Sequence, residues 1–115
     1  MAATPLEQSD YSDNFVTAVN APVVETYDPC SCVSFAKWRM GVSQSERWGN
    51  ASEIVPNDQK PSEKGVVVLN EGTTGHLAYY ELSGGVLRLE EVNYYPCQYS
   101  EREIPIDYPL IKGYL

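Results

Sequence analysis

His76-Leu77-Ala78-Tyr79-Tyr80-Glu81-Leu82-Ser83-Gly84-Gly85-Val86-Leu87-Arg88-Leu89-Glu90-Glu91-Val92-Asn93 reads as two strands around a pair of glycines. A two-residue Gly84-Gly85 loop of type I′ pairs Ser83 with Val86 and fixes every partner beyond it. Glu81 then faces Arg88, a favourable cross-strand charge pair, and Leu77 faces Val92. Ala78, Tyr80, Leu82, Leu87 and Leu89 fall on one apolar face, the expected seat of a helix. His76, Glu91 and Asn93 share that face, with His76 opposite Asn93 and Glu91 one diagonal step away. A three-residue loop would mix Arg88 and Glu90 among Ala78, Tyr80 and Leu82. Side-chain period two makes that slip costly wherever a face is buried.

Outward from the hairpin, Val66–Leu69 reads as a preceding strand, and Glu103–Ile106 and Ile111–Leu115 as following ones. Pro96, Pro105 and Pro109 confine the last pieces to edges or bends. Residues 42–65 carry Gly49, Pro56, Asn57, Asp58, Pro61 and Gly65, the composition of a long irregular connection. Before it, Asp28-Pro29 reads as a helix start, with Asp as N-cap and Pro at the first helical position. Val33, Phe35, Ala36 and Met40 supply an apolar side, and Gly41 a stop. One helix followed by a run of strands predicts an α+β domain over residues 26–115, its helix packed on an antiparallel sheet. Residues 1–25 are polar, with Ser9-Asp10-Tyr11-Ser12-Asp13-Asn14, and read as an N-terminal arm with a short element around Phe15 to Val19.

The 115 residues suffice for one domain, and 43 % hydrophobic with 21 % charged content argues against disorder. Eight Lys and Arg against sixteen Asp and Glu leave a formal charge of −8, without the basic footprint that binding a nucleic acid requires. No apolar run approaches the ~18 residues of a membrane span, so no membrane insertion is expected. Met1-Ala2-Ala3-Thr4-Pro5-Leu6-Glu7 has neither the basic nor the apolar region of a signal peptide. Nine tyrosines against two phenylalanines suit half-wet sheet faces, or a groove for sugar or peptide.

Chemistry concentrates in few residues. His76 is the only histidine, and imidazole alone has an unperturbed pKa near neutrality. Cys32, close to a helix N-terminus, feels unpaired N–H groups and the positive end of the dipole, both of which favour thiolate. A carboxylate or amide beside His76, here Glu91 or Asn93, would fix its tautomer and leave the other ring nitrogen for a thiol proton. The plainer readings are a buried structural cysteine and a polar pair at a strand end. Three cysteines cannot all pair within one chain. A disulfide between Cys30 and Cys97 is open on sequence alone. A Cys₃His zinc site is the metal alternative, but Cys30-x-Cys32 departs from the usual ligand spacing, and it equally departs from the redox Cys-x-x-Cys motif.

Four segments in order resemble the CHAP family, the cysteine- and histidine-dependent amidohydrolase/peptidase domains of bacterial and phage cell-wall enzymes. Cys32-Val33-Ser34-Phe35-Ala36-Lys37-Trp38 is similar to that family's nucleophile helix, and Trp48-Gly49-Asn50-Ala51 to its segment before the sheet. Gly65-Val66-Val67-Val68 followed by Gly75-His76-Leu77-Ala78-Tyr79 resembles the strand pair bearing the histidine. Glu91-Val92-Asn93-Tyr94 and Arg102-Glu103-Ile104 resemble later segments. The resemblance spans about Asp28 to Gly113 and implies a papain-like fold, with the nucleophile helix packed on an antiparallel sheet. It implies cleavage of an amide bond in peptidoglycan through a thioester, by an N-acetylmuramoyl-L-alanine amidase or a stem or cross-bridge endopeptidase. Cys32 would be nucleophile, His76 base and then acid, and Glu91 orienter, with Asn93 in support. Tyr27 would be a second oxyanion donor beside the Cys32 N–H. The site of action would be the cell wall, reached by secretion, in the periplasm or by phage delivery. Pro29-Cys30-Ser31 departs from the Gly-x-Gln of many relatives, which bears on oxyanion support from that side. The Asp-rich calcium loop of some relatives is not apparent, so no metal or cofactor is expected. The competing reading is a non-catalytic cell-wall or virion-associated binding module.

Overall fold

Gly84 and Gly85 adopt φ of 59° and 81°, the left-handed values that a type I′ turn needs and that glycine supplies without strain. Ser83 pairs with Val86, and the expected register runs back through Glu81–Arg88 to Tyr79–Glu90. The computed structural model describes residues 26–115; the predicted arm and its short element around Phe15 to Val19 lie outside the described residues. In chain order come helix α1 (Cys32–Met40), a 3₁₀ turn (Ala51–Glu53) and strands β1 (Lys64–Leu69), β2 (His76–Ser83), β3 (Val86–Val92), β4 (Tyr99–Pro105) and β5 (Ile111–Tyr114). The strands form one antiparallel sheet of order β4-β3-β2-β1-β5. Pro105 closes β4, which is an edge strand, where a missing N–H is tolerated.

The expected α+β, papain-like architecture is not the one adopted. About 13 % of the described residues are helical and 37 % are in strands, so the molecule is chiefly a five-stranded sheet carrying one nine-residue helix. The physical reason lies on either side of α1. Gly41 ends the helix, and the proline- and glycine-bearing stretch after it yields only the three-residue 3₁₀ turn before β1. No second helical layer is built among the described residues.

The helix also takes the other face of the sheet. Phe35 packs with Tyr79 and Val92, and Ala36 with Ala51, Ile54, Val66, Val68 and Leu77. Arg39 Nε donates to Glu90 Oε1 at 2.9 Å, and its guanidinium lies 4.0 Å from the Tyr79 ring centre. Ala78, Tyr80, Leu87 and Leu89, assigned to the helix by sequence, instead pack with Val67, Leu69, Ile104 and Tyr114. Ile104 and Tyr114 belong to the two opposite edge strands, so the apolar cluster on this side runs across the whole width of the sheet. Met40, expected on the apolar side of α1, is 43 % exposed.

The start of α1 differs from expectation as well. Asp28 Oδ1 accepts from the Cys30 N–H at 2.9 Å, and Asp28 O from the Ser31 N–H at 3.0 Å. The Asp28-Pro29 pair therefore makes a turn. Ser31 is the N-cap, its Oγ accepting from the Ser34 N–H at 3.1 Å, the usual way to satisfy a first-turn donor. Cys32 thereby becomes the first residue of the helix.

Candidate active site

His76 is placed by backbone on both sides. Gly75, at φ +75°, lies so close to the 3₁₀ turn that an added Cβ would sit 2.6 Å from Ser52 N. The Ser52 N–H donates to Thr74 O at 2.7 Å. His76 then begins β2 opposite Leu69, and only 5 % of it is exposed.

The ladder between β2 and β3 stops at Tyr79–Glu90, while β3 stays paired with β4 out to Val92–Tyr99. The two central strands thus part near His76. Leu82 donates towards β1, to Glu63 O at 2.8 Å, so alternation along β2 turns the Leu77 N–H to the side that β3 has left. Cys32 occupies this opening. Its side chain packs against the Ala36, Val66, Val68 and Leu77 cluster, and its sulfur lies within reach of the His76 ring and the Leu77 N–H.

Nε2 of His76 donates to Glu91 Oε1 at 2.7 Å. That bond leaves Nδ1 as the nitrogen for the thiol, the division of labour a thiol–imidazole pair needs. Glu91 is wholly buried, and its carboxylate also receives Arg102, through Nε to Oε2 at 2.7 Å and Nη2 to Oε1 at 3.2 Å. Arg102 in turn forks onto Glu71, from Nη1 to Oε2 at 3.0 Å and Nη2 to Oε1 at 2.5 Å. Tyr108 Oη donates to Glu71 Oε2 at 2.7 Å.

Burial would push the Cys32 thiol up, but its hydrogen bonds with His76 and Leu77 and the neighbouring imidazolium charge outweigh burial and hold it below the ordinary thiol range. Burial likewise works against a charged imidazole, yet hydrogen bonds to Cys32 and Glu91 raise His76 to about 9. Each partner holds the other ionised, as a thiolate–imidazolium pair.

Cys32, His76 and Glu91 are therefore brought together as the sequence suggested. Asn93 is not, and this is a correction. β3 ends at Val92, and Asn93 turns out of the ladder at φ 66°, its Oδ1 accepting from the Cys97 N–H at 2.8 Å. It braces the β3–β4 turn and does not face His76. The Tyr27 ring stands edge-on to Phe35 at 4.9 Å and tilted on Trp38 at 5.0 Å, which gives it a packing role against the Phe35, Tyr79 and Val92 cluster. Cys30 and Cys97 form a disulfide. This leaves Cys32 as the free thiol and takes two of the three sulfurs that a Cys₃His zinc site would require.

Comparison with family models, curated proteins and solved structures returned no match. Arg102, Glu71 and Tyr108 are the members of the network that sequence reasoning gave no part. Arg102 had a readable signal: alternation with Ile104 puts an arginine on the inward side of β4. Glu71 and Tyr108 sit in connections between strands, where no periodicity marks them.

Proposed function

We propose that this chain is a cysteine-dependent hydrolase that cleaves an amide bond through a thioester, with peptidoglycan as the substrate class. The reading rests on one observation above the rest. The single free thiol among the described residues meets the single imidazole, and the far nitrogen of that imidazole is held by a buried carboxylate. The choice of peptidoglycan rests on the motif resemblance alone.

With the thiol proton already on His76 Nδ1, the Cys32 Sγ thiolate bonds to the amide carbonyl carbon. The carbonyl oxygen, now negative, accepts from the Cys32 N–H, a free donor at the first position of α1. When the C–N bond breaks, His76 returns its proton to the leaving amine, and a thioester remains. Water then loses a proton to His76 and attacks the thioester, releasing the acid and restoring the thiolate–imidazolium pair. Glu91 keeps the ring in place and favours its protonated form throughout.

The test has two arms. Iodoacetamide with mass mapping should alkylate Cys32 faster in the folded protein than in the urea-unfolded chain at pH 6.5. Purified cell walls incubated with the protein should yield new amino and carboxyl termini, and Cys32→Ala should yield none. A folded-state rate no higher than the unfolded one, or equal release by Cys32→Ala, would remove the hydrolase reading. Wall retention without new termini would instead favour the binding module, a use to which the exposed Tyr94 and Tyr95 beside His76 are suited.

A further inference from the structure

We infer that Arg102, anchored by Glu71 and Tyr108, is a positioning residue for the reaction: it clamps the Glu91 carboxylate and, through it, sets the plane of the His76 ring. This rests on the hydrolase reading above and extends it to a second tier of the same site. Both oxygens of Glu91 are engaged by one guanidinium, at 2.7 Å and 3.2 Å, and Oε1 is the same atom that accepts from His76. The carboxylate cannot turn about its last bond without breaking the arginine contacts, so the lone pair offered to Nε2 has a fixed direction.

The guanidinium is itself held along its edges and over one face. Its outer edge forks onto Glu71, whose Oε2 is also held by Tyr108. The Tyr94 ring covers one face at 3.8 Å. These partners come from separate parts of the chain. Arg102 lies on β4 opposite Leu89, Glu71 in the β1–β2 connection, and Tyr108 between β4 and β5. The clamp therefore spans the sheet from its β4 edge to the loop that leads into His76.

Charge gives the arrangement a second purpose. From the helix inward, the groups facing His76 are Cys32 on α1, Glu91 on β3, Arg102 on β4, Glu71 in the β1–β2 connection and Tyr94 after β3. Thiolate, imidazolium, carboxylate, guanidinium and carboxylate alternate in sign. A guanidinium this near an imidazolium would work against its proton, and Glu71 offsets that charge from behind. Removal of the clamp loosens Glu91 and with it the support for the imidazolium, so the ion pair exists over a narrower span of pH.

The experiment reads Cys32 alkylation by iodoacetamide against pH, which needs no substrate, together with turnover of purified walls. Arg102→Gln is expected to move the acid limb of the alkylation profile upward by about one pH unit, since a Glu91 carboxylate released from the fork supports the imidazolium less and the thiolate forms later, and to lower wall turnover at pH 7. Arg102→Lys, which keeps the charge but loses the fork, should not restore the wild-type profile. Glu71→Gln, the milder change, should move the limb in the same direction by a smaller amount and keeps the inference testable should Arg102→Gln not fold. Profiles of folded Glu71→Gln and Arg102→Gln that coincide with wild type, or full restoration by lysine, would overturn the positioning role. Slow alkylation of the wild type would point instead to failure of the hydrolase reading, so the two failures are told apart.

Discussion

Cys32 and His76 titrate as a unit, and that coupling sets the working range of pH. Catalysis needs the thiol proton moved and the imidazolium proton available for the leaving amine. kcat/KM should rise as Cys32 ionises, below the ordinary thiol range, and fall as pH passes about 9, where His76 loses its proton. A pH–rate profile on cell walls checks both limbs. His76→Ala should lower turnover by roughly 10²–10⁴-fold, the contribution of a positioned general base. Glu91→Gln should retain some activity, because an amide oxygen still accepts from Nε2, while its descending limb moves to lower pH. A limb that stays near 9 in that variant would count against Glu91 as the support of the imidazolium. At this scale the reactive trio was readable, because a lone imidazole and the hairpin register leave few choices. Asn93 was misplaced because register arithmetic continues past the point where β3 ends. Glu71 was invisible, since nothing in the residues around it shows which arginine it will meet.

At the scale of elements, the 3₁₀ turn holds the histidine by pressing its backbone against Gly75. Gly75→Ala should cost on the order of 1–3 kcal/mol, combining a left-handed φ with a backbone clash. Gly72→Ala is the control: it shares a left-handed φ of +69° but has open space around the new methyl. It should cost about 1–2 kcal/mol from conformation alone and leave thiol reactivity intact. Urea denaturation midpoints and alkylation rates separate the two. Ser31→Ala should remove about 1 kcal/mol by loss of the helix cap, checked in the same titration. The helix and the strands were legible as elements, and the hairpin register was correct where the pairs exist. The face that α1 takes was not legible. His76 through Tyr80 is buried on both sides, so alternation offers two apolar faces, Leu77 with Tyr79 and Ala78 with Tyr80, and no local rule ranks them. The helix start moved three residues because the Asp28 side chain closes a turn onto Cys30 in place of capping.

Across the whole molecule, the predicted number of strands and their antiparallel sense follow from turns and prolines that can be read one at a time. The sheet order does not, because it depends on β5 returning beside β1, a pairing between segments about forty residues apart. The family-level expectation of a papain-like architecture failed at this scale, since it rested on short motifs that specify a site more closely than the layers around it. The disulfide is the longest-range tie described, joining residues separated by 67 positions. Replacing both Cys30 and Cys97 with serine should cost about 2–5 kcal/mol, read as a lower denaturation midpoint with Cys32 still present. The bond also has a practical consequence for anyone handling the protein. The proposed nucleophile, Cys32, must stay reduced while its neighbour two residues away stays oxidised. Strong reductant protects the nucleophile and undoes the tie, whereas peroxide spares the tie and converts the nucleophile to sulfenic acid. Activity should peak at an intermediate thiol–disulfide poise and decline on both sides, a dependence that a glutathione redox series would trace directly.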